Sequence, residues 1–291
     1  MEWLEIALRC PASVQEAVEW VLNDLGAVGT AAEARVGDNG WLVKAWFPAD
    51  THPEPMLTRL RDRLSRMPEY GLPGTDNIQA AVVSDEQWLD AWRKHHRARE
   101  IGRRLRILPE AAPEPTYTER VCVVIEPGMA FGTGSHPTTR LTLEYLERLV
   151  RPGDMVADVG TGSGILAISA AKLGARTVWA SECDSLPREV ALRNAEANGV
   201  TDRVVVLDPD RFAAQCPPCD LVLCNIIAET ILELSGLLSR IVRPGGWLVC
   251  SGIVGEKLPP VLTALARHGL AGMEIASDDV WRTALARRFR E

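Results

Sequence analysis

The segment Asp158-Val159-Gly160-Thr161-Gly162-Ser163-Gly164 constrains the fold of this chain more than any other stretch. It follows the apolar run Val156 to Val159 and precedes Ile165 to Leu173, so it reads as a tight passage from a buried strand into a helix. Glycines there let backbone approach a ligand closely, and the helix start offers unpaired N–H groups to a carboxylate or phosphate. Further apolar strands at Thr177 to Ser181, Val204 to Leu207, Leu221 to Ile226 and Trp247 to Ile253 alternate with helical patterns. That alternation predicts an α/β, Rossmann-like domain with a parallel sheet covered on both faces and ligands at the carboxyl ends of its strands.

Glu182 stands just after the second of these strands, where an acid accepts hydrogen bonds from ribose hydroxyls. Loop and acid together predict a site for an adenosine compound. The run Gly162-Ser163-Gly164-Ile165-Leu166-Ala167 also fits the dinucleotide fingerprint, so glycines alone leave the compound open. Asp158 argues against NAD: a carboxylate beside the loop repels a pyrophosphate, whereas it can hold the ammonium group of a methionine, directly or through water. Asp208, after the third strand, suits either an adenine amino group or a turn before Pro209.

The first eighty-odd residues read differently. Leu4, Ile6 and Leu8 alternate with more polar neighbours as in a half-buried strand, and Ser13 with Glu16 forms a capping box before a helix that stops at Gly26. A hairpin turning at Asp38-Asn39-Gly40, a helix from about Pro55 to Met67 and a strand from Ile78 to Val83 complete a βαββαβ order. This is the ferredoxin-like arrangement, an α+β fold that by itself specifies no activity. Ser84 and Gln87 repeat the capping spacing ahead of Trp88, Leu89 and Trp92, so a short helix is expected to join the halves. The expected division is 1–83 for the small domain, 84–99 for the linker helix and 100–291 for the α/β domain.

At 291 residues the chain is long enough for both domains, and 46% apolar with 24% charged residues suits packed cores. Net charge is −7, which argues against direct nucleic-acid binding through phosphate attraction. No apolar run approaches the ~20 residues of a membrane helix, so no membrane association and a cytoplasmic location are expected. The seven cysteines are an odd number, and Cys122, Cys183, Cys224 and Cys250 sit in apolar runs as small buried hydrophobes. Cys216-Pro-Pro-Cys219 has half-site spacing, but no second Cys or His pair with zinc spacing accompanies it; two loop thiols and no bound metal are expected.

Two further segments, Glu126-Pro127-Gly128-Met129-Ala130-Phe131-Gly132-Thr133-Gly134-Ser135-His136-Pro137-Thr138-Thr139-Arg140 and Cys224-Asn225-Ile226-Ile227-Ala228-Glu229, narrow the reading. With the glycine loop they resemble the class I methyltransferases, and specifically the PrmA family of bacterial enzymes that modify ribosomal protein L-eleven. The resemblance covers the α/β domain and the joining helix, and more loosely the amino-terminal unit. It implies S-adenosyl-L-methionine as cofactor, ribosomal protein L-eleven as partner recognised by the small domain, and methyl transfer to lysine side-chain amines and the alpha-amino terminus. It carries cofactor roles to Thr139, Gly160 and Asn225, and to Glu182 where Asp is usual; the longer acid keeps its carboxylate. Asp158, Gly162, Phe131 and Thr133 join the expected cofactor site. Asp184-Ser185 in place of Asp-Pro, and Ser135 before His136, are the departures from the family pattern.

Asn225 follows an apolar strand at the ligand edge, where its amide can accept hydrogens from an amine. It resembles the leading Asn of the Asn-Pro-Pro-Tyr motif of amino-group methyltransferases, although Ala228 replaces the aromatic, which leaves Phe131 as the candidate wall. His136, placed with Asn225 among the catalytic candidates, can act as a base or orient the loop; with no visible acid partner, orientation is favoured. The rival readings are a non-catalytic S-adenosylmethionine or nucleotide sensor, a methyltransferase acting on another protein and, third, a dehydrogenase. The amine-alignment residue Asn225 together with the loop from Phe131 to Thr139 disfavours the sensor.

Overall fold

The computed structural model describes residues 2–11, 14–27, 29–34, 40–48, 50–66, 78–84, 98–109, 119–126, 134 and 136–289. These fall into two compact units, one within Met1–Arg97 and one within Ala98–Glu126 and Gly132–Glu291.

The smaller unit has strands β1 (Glu2–Pro11), β2 (Gly29–Ala34), β3 (Gly40–Pro48) and β4 (Ile78–Ser84), with helices Gln15–Asp24 and Pro53–Ser65 between them. The sheet order is β2-β3-β1-β4 and every pairing is antiparallel, the ferredoxin-like order the sequence predicts. Leu4, Ile6 and Leu8 face inward and pack with Val18 and Leu22 of the first helix and Leu60 and Leu64 of the second. Each such side chain contributes about 1.5–3 kcal/mol on burial, so this face fixes the register. Glu5 points the other way and accepts from Lys44 Nζ and Trp46 Nε1, each at 3.0 Å. The Gln15–Asp24 helix is capped at Val14, without a side-chain cap, rather than at the expected Ser13, which lies outside the described residues; so does the joining helix from Ser84 to Arg99, apart from its ends.

The larger unit is built on a seven-stranded sheet: β8 (Met155–Val159), β9 (Thr177–Ser181), β10 (Val204–Leu207), β11 (Cys219–Asn225), β12 (Val242–Val254), β13 (Leu270–Asp278) and β14 (Trp281–Arg288). Their order is β10-β9-β8-β11-β12-β14-β13. The first five are parallel, and β14 is inserted antiparallel to both neighbours. Alternate residues feed two cores. Val156, Leu221, Leu223, Val249 and Leu285 pack on one face with Leu143, Leu146 and the Ile165–Lys172 helix. Ala157, Val222, Cys224, Leu248, Cys250 and Ala286 pack on the other with Ile231, Leu238, Val261 and Leu265 from later helices. Both faces are covered, as the near-continuous apolar strands require.

A second, three-stranded sheet, β5 (Arg99–Ile101), β6 (Leu105–Pro109) and β7 (Val121–Ile125), packs into the first of those cores through Ile101, Leu105, Ile107, Val123 and Ile125. Among the described residues no helix is long and apolar enough to cross a membrane.

Candidate active site

The chain runs from β8 outward to β9 and β10, then returns to β11 on the other side of β8. A crevice therefore opens at the carboxyl ends of β8 and β11, the usual ligand position in such sheets. Asp158 and Val159 end β8, and Asn225 ends β11.

The glycine loop is tied down from several sides. Gly160 N and Thr161 N both donate to Ser181 O at 2.9 Å, anchoring the loop to the end of β9. Gly160 has φ 74°, and a Cβ there would overlap Ile226 Cγ2, so this close passage requires glycine. Asp158 is fully buried; its Oδ2 accepts from Thr161 Oγ1 at 2.6 Å and Ala167 N at 3.1 Å, while Oδ1 has no hydrogen-bond partner. Burial pushes its carboxyl up to about 7 and the nearby Glu182 adds to the rise, against the two hydrogen bonds that favour the anion. Asp158 thus organises the loop through Oδ2, while Oδ1 stays buried and unpartnered.

Glu182 is held between strand ends by its own N–H donating to Leu207 O at 3.1 Å. Its Oε2 accepts from Gly162 N at 2.9 Å, and its Oε1 from Asp184 N at 3.2 Å and Cys183 Sγ at 3.4 Å, so the carboxylate is fixed beside the loop. Asp208 has a local duty: its Oδ1 accepts from Arg211 N at 2.9 Å and caps the helix Pro209–Gln215.

At the neighbouring strand end, Asn225 Nδ2 donates to Thr139 Oγ1 at 3.3 Å, and the buried Oδ1 has no partner. Thr139 lies in the first turn of the helix Pro137–Leu149, whose N-cap is His136. His136 Nδ1 accepts from Thr138 N at 3.2 Å and faces Thr138 Oγ1 at 2.7 Å. Because a backbone N–H can only donate, Nδ1 is the unprotonated nitrogen and His136 holds the helix start as a cap. Its ring also stands edge-on to Trp281, with centroids 5.0 Å apart.

Two clusters therefore form: Asp158, Gly160, Gly162 and Glu182 around the loop, and Asn225, Thr139 and His136 at the end of β11. Ile226 joins them through its approach to Gly160. The expected site residues Phe131 and Thr133 lie outside the described residues. Sequence reasoning gave no role to Thr161 or Thr138, although both lie inside quoted motifs, and missed the buried hydroxyls of Ser251 and Thr283, which no motif marks. It also misjudged Cys183, which is exposed because it follows the strand end at the site mouth; Cys224 and Cys250 are buried as expected. Cys216 follows a short helix and Cys219 opens β11, their sulfurs 3.9 Å apart.

The residues fit S-adenosylmethionine: an orphaned buried carboxylate oxygen suits an ammonium, and a fixed acid after β9 suits a ribose. Fold, loop and acid together define a class I S-adenosylmethionine-dependent methyltransferase. The family model for ribosomal protein L11 methyltransferase (PrmA) matches residues 2–288. The ribosomal protein L11 methyltransferase of Pelotomaculum thermopropionicum is 36% identical, with 100% of each chain covered. That of Dictyoglomus thermophilum is 34% identical over 99% of both. A crystal structure of ribosomal protein L11 methylase from Lactobacillus delbrueckii subsp. bulgaricus superimposes with TM-score 0.61 at 33% identity, covering 66% of this chain and 99% of that one. The chain belongs to the ribosomal protein L11 methyltransferase family.

Proposed function

We propose that this enzyme transfers methyl groups to ribosomal protein L11, at lysine side-chain amines and at the alpha-amino terminus, and that it works in the cytoplasm. The observation that carries the reading is the orphaned Asn225 Oδ1, an acceptor buried at the ligand edge of a methyltransferase sheet. Asp158 Oδ1 suits the cofactor's ammonium, Glu182 its ribose, and Gly160 and Gly162 let backbone lie along it; Thr139, Phe131 and Thr133 complete the proposed binding set. Residues 1–83 are proposed to recognise the protein substrate, 84–99 to link, and 100–291 to catalyse.

Bound S-adenosylmethionine supplies an electrophilic methyl on a sulfonium, so the nitrogen–carbon bond forms as the sulfur–carbon bond breaks and sulfur keeps the electron pair. The protein's task is alignment and exclusion of water. A lysine amine of pKa about 10.4 is only about one part in 2,500 neutral at pH 7, so a dry pocket that disfavours the cation raises the reactive fraction. Asn225 Oδ1 accepts an N–H of the neutral amine and so turns the nitrogen lone pair toward the reacting carbon. A neutral acceptor suits this better than a carboxylate, which would stabilise the unreactive ammonium. The amine's surplus proton leaves to solvent, and His136, occupied at Nδ1 as a helix cap, orients rather than abstracts.

Intact-mass spectrometry of purified L11 after incubation with the enzyme and S-adenosylmethionine tests the reading. Added multiples of one methyl that vanish with Asn225→Ala support it; an unchanged L11 mass, with cofactor binding measured in parallel, refutes the substrate.

A further inference from the structure

A chain of fully buried hydroxyls lies behind Asn225. Ser251 is the direct partner of Asn225 in the β11–β12 pairing. Its Oγ donates to Thr138 O at 3.2 Å, which leaves the 2.7 Å contact with Thr283 Oγ1 to be donated by Thr283. Thr138 O also accepts from Thr142 Oγ1 at 2.7 Å. Thr142, Ser251 and Thr283 are all 0% exposed, and Thr138 is 1% exposed. Such groups are costly to desolvate unless every partner is in place, so the network holds one geometry or none.

The backbone around Ser251 is shaped for the contact. The β12–β14 register shifts between Cys250 and Ile253. Gly252 in that shift has φ 80°, and a Cβ there would overlap the backbone carbonyl of Ile226, the residue after Asn225. Thr283 of β14 lies opposite this irregularity, between the Cys250–Ala284 and Ile253–Arg282 pairs, and Gly252 lets the chain after Ser251 pass close to Ile226.

We propose that Ser251 and Thr283 are positioning residues for methyl transfer. Ser251, held by Thr283, bonds the carbonyl of Thr138 and so sets the first turn of the Pro137–Leu149 helix; that turn fixes Thr139 Oγ1, the hydroxyl that receives Asn225 Nδ2 and so leaves the buried Asn225 Oδ1 for the amine. The inference rests on the role given above to Asn225. Misplacement of an aligning group by a fraction of a bond length slows transfer without removing any atom that touches cofactor.

The test uses the full chain with purified L11 and methyl-labelled S-adenosylmethionine. Single-turnover rates are compared with S-adenosylhomocysteine affinities for Ser251→Ala, Thr283→Val, Thr283→Ser and Asn225→Ala. Loss of either hydroxyl is expected to slow transfer about tenfold or more while affinity stays within about twofold, and Thr283→Ser to restore most of the rate. A normal rate in both Ser251→Ala and Thr283→Val, a Thr283→Ser variant as slow as Thr283→Val, or a loss of affinity that accounts for the loss of rate overturns the proposal. Should Thr283→Val fail to fold, Ser251→Ala, which removes a single oxygen, decides. A slow Asn225→Ala beside normal hydroxyl variants sinks only the positioning; a normal Asn225→Ala sinks the role of Asn225 and the positioning with it.

Discussion

Asn225 donates its carboxamide hydrogen to Thr139 Oγ1 across 3.3 Å, although 86 positions separate the two along the chain. In this orientation Oδ1 is the unpartnered end of the amide. Asn225→Asp keeps the shape but replaces a neutral acceptor with an anion that stabilises the protonated amine. Single-turnover methylation by this variant is expected to fall about a hundredfold at pH 7, recovering part of the loss as pH rises toward 9. A rate equal to that of the parent enzyme across this range would remove Asn225 from amine alignment.

Glu182→Gln keeps an acceptor for Gly162 N but loses the charge and one acceptor oxygen offered to a diol. Hydrogen bonds to charged groups contribute about 1.5–3 kcal/mol, so S-adenosylhomocysteine affinity is expected to weaken by roughly 10- to 150-fold in calorimetry. An unchanged affinity would place the ribose elsewhere.

Asp158 is expected to make cofactor binding and stability depend on pH in opposite senses. Its buried carboxyl is pushed up to about 7 from an ordinary value of 3.8, so between those values the folded protein binds more protons than the unfolded chain. The unliganded fold is therefore expected to lose stability from this group as pH rises through about 4 to 7. A cofactor ammonium beside Oδ1 favours the anion, so the thermal shift produced by S-adenosylhomocysteine should grow between about pH 6 and pH 8. Asp158→Asn should flatten that growth; a variant with the parent's pH profile would exclude Asp158 as its source.

Gly160 and Gly252 both press on Ile226, with different tolerance for change. A methyl at Gly160 meets only the Ile226 side chain, whereas one at Gly252 meets its backbone. Gly160→Ala is expected to cost about 2 kcal/mol and Gly252→Ala about 4 kcal/mol, read from chemical unfolding. Equal losses would show that the Ile226 backbone yields as readily as its side chain.

Much of this was readable because its signals are local. The glycine run, the acid after β9 and the Asn that closes β11 each sit at the end of an apolar strand, and βαββαβ order is written in period and turn residues. The rest depends on partners distant in sequence. β5 and β6 are only three and five residues long, too short for an alternation to announce them. β14, Trp281–Arg288, mixes Thr, Ala and Arg, and nothing in that string says that it enters antiparallel between β12 and β13. Asp208 as a helix cap and Thr161 as the holder of Asp158 use residues whose polar groups serve a turn as readily as a ligand.

The insertion of β14 has a consequence for how the enzyme comes into being. Of all strands in its sheet it is latest in the chain, yet it occupies an interior place and carries Thr283. During synthesis β12 and β13 leave the ribosome before the strand that must lie between them, so they cannot pair with each other without excluding it. The glycine loop, Glu182 and Asn225 are all made earlier. A chain that has made its cofactor loop, Glu182 and Asn225 still lacks the proposed support of Thr283 until β14 takes its place between β12 and β13.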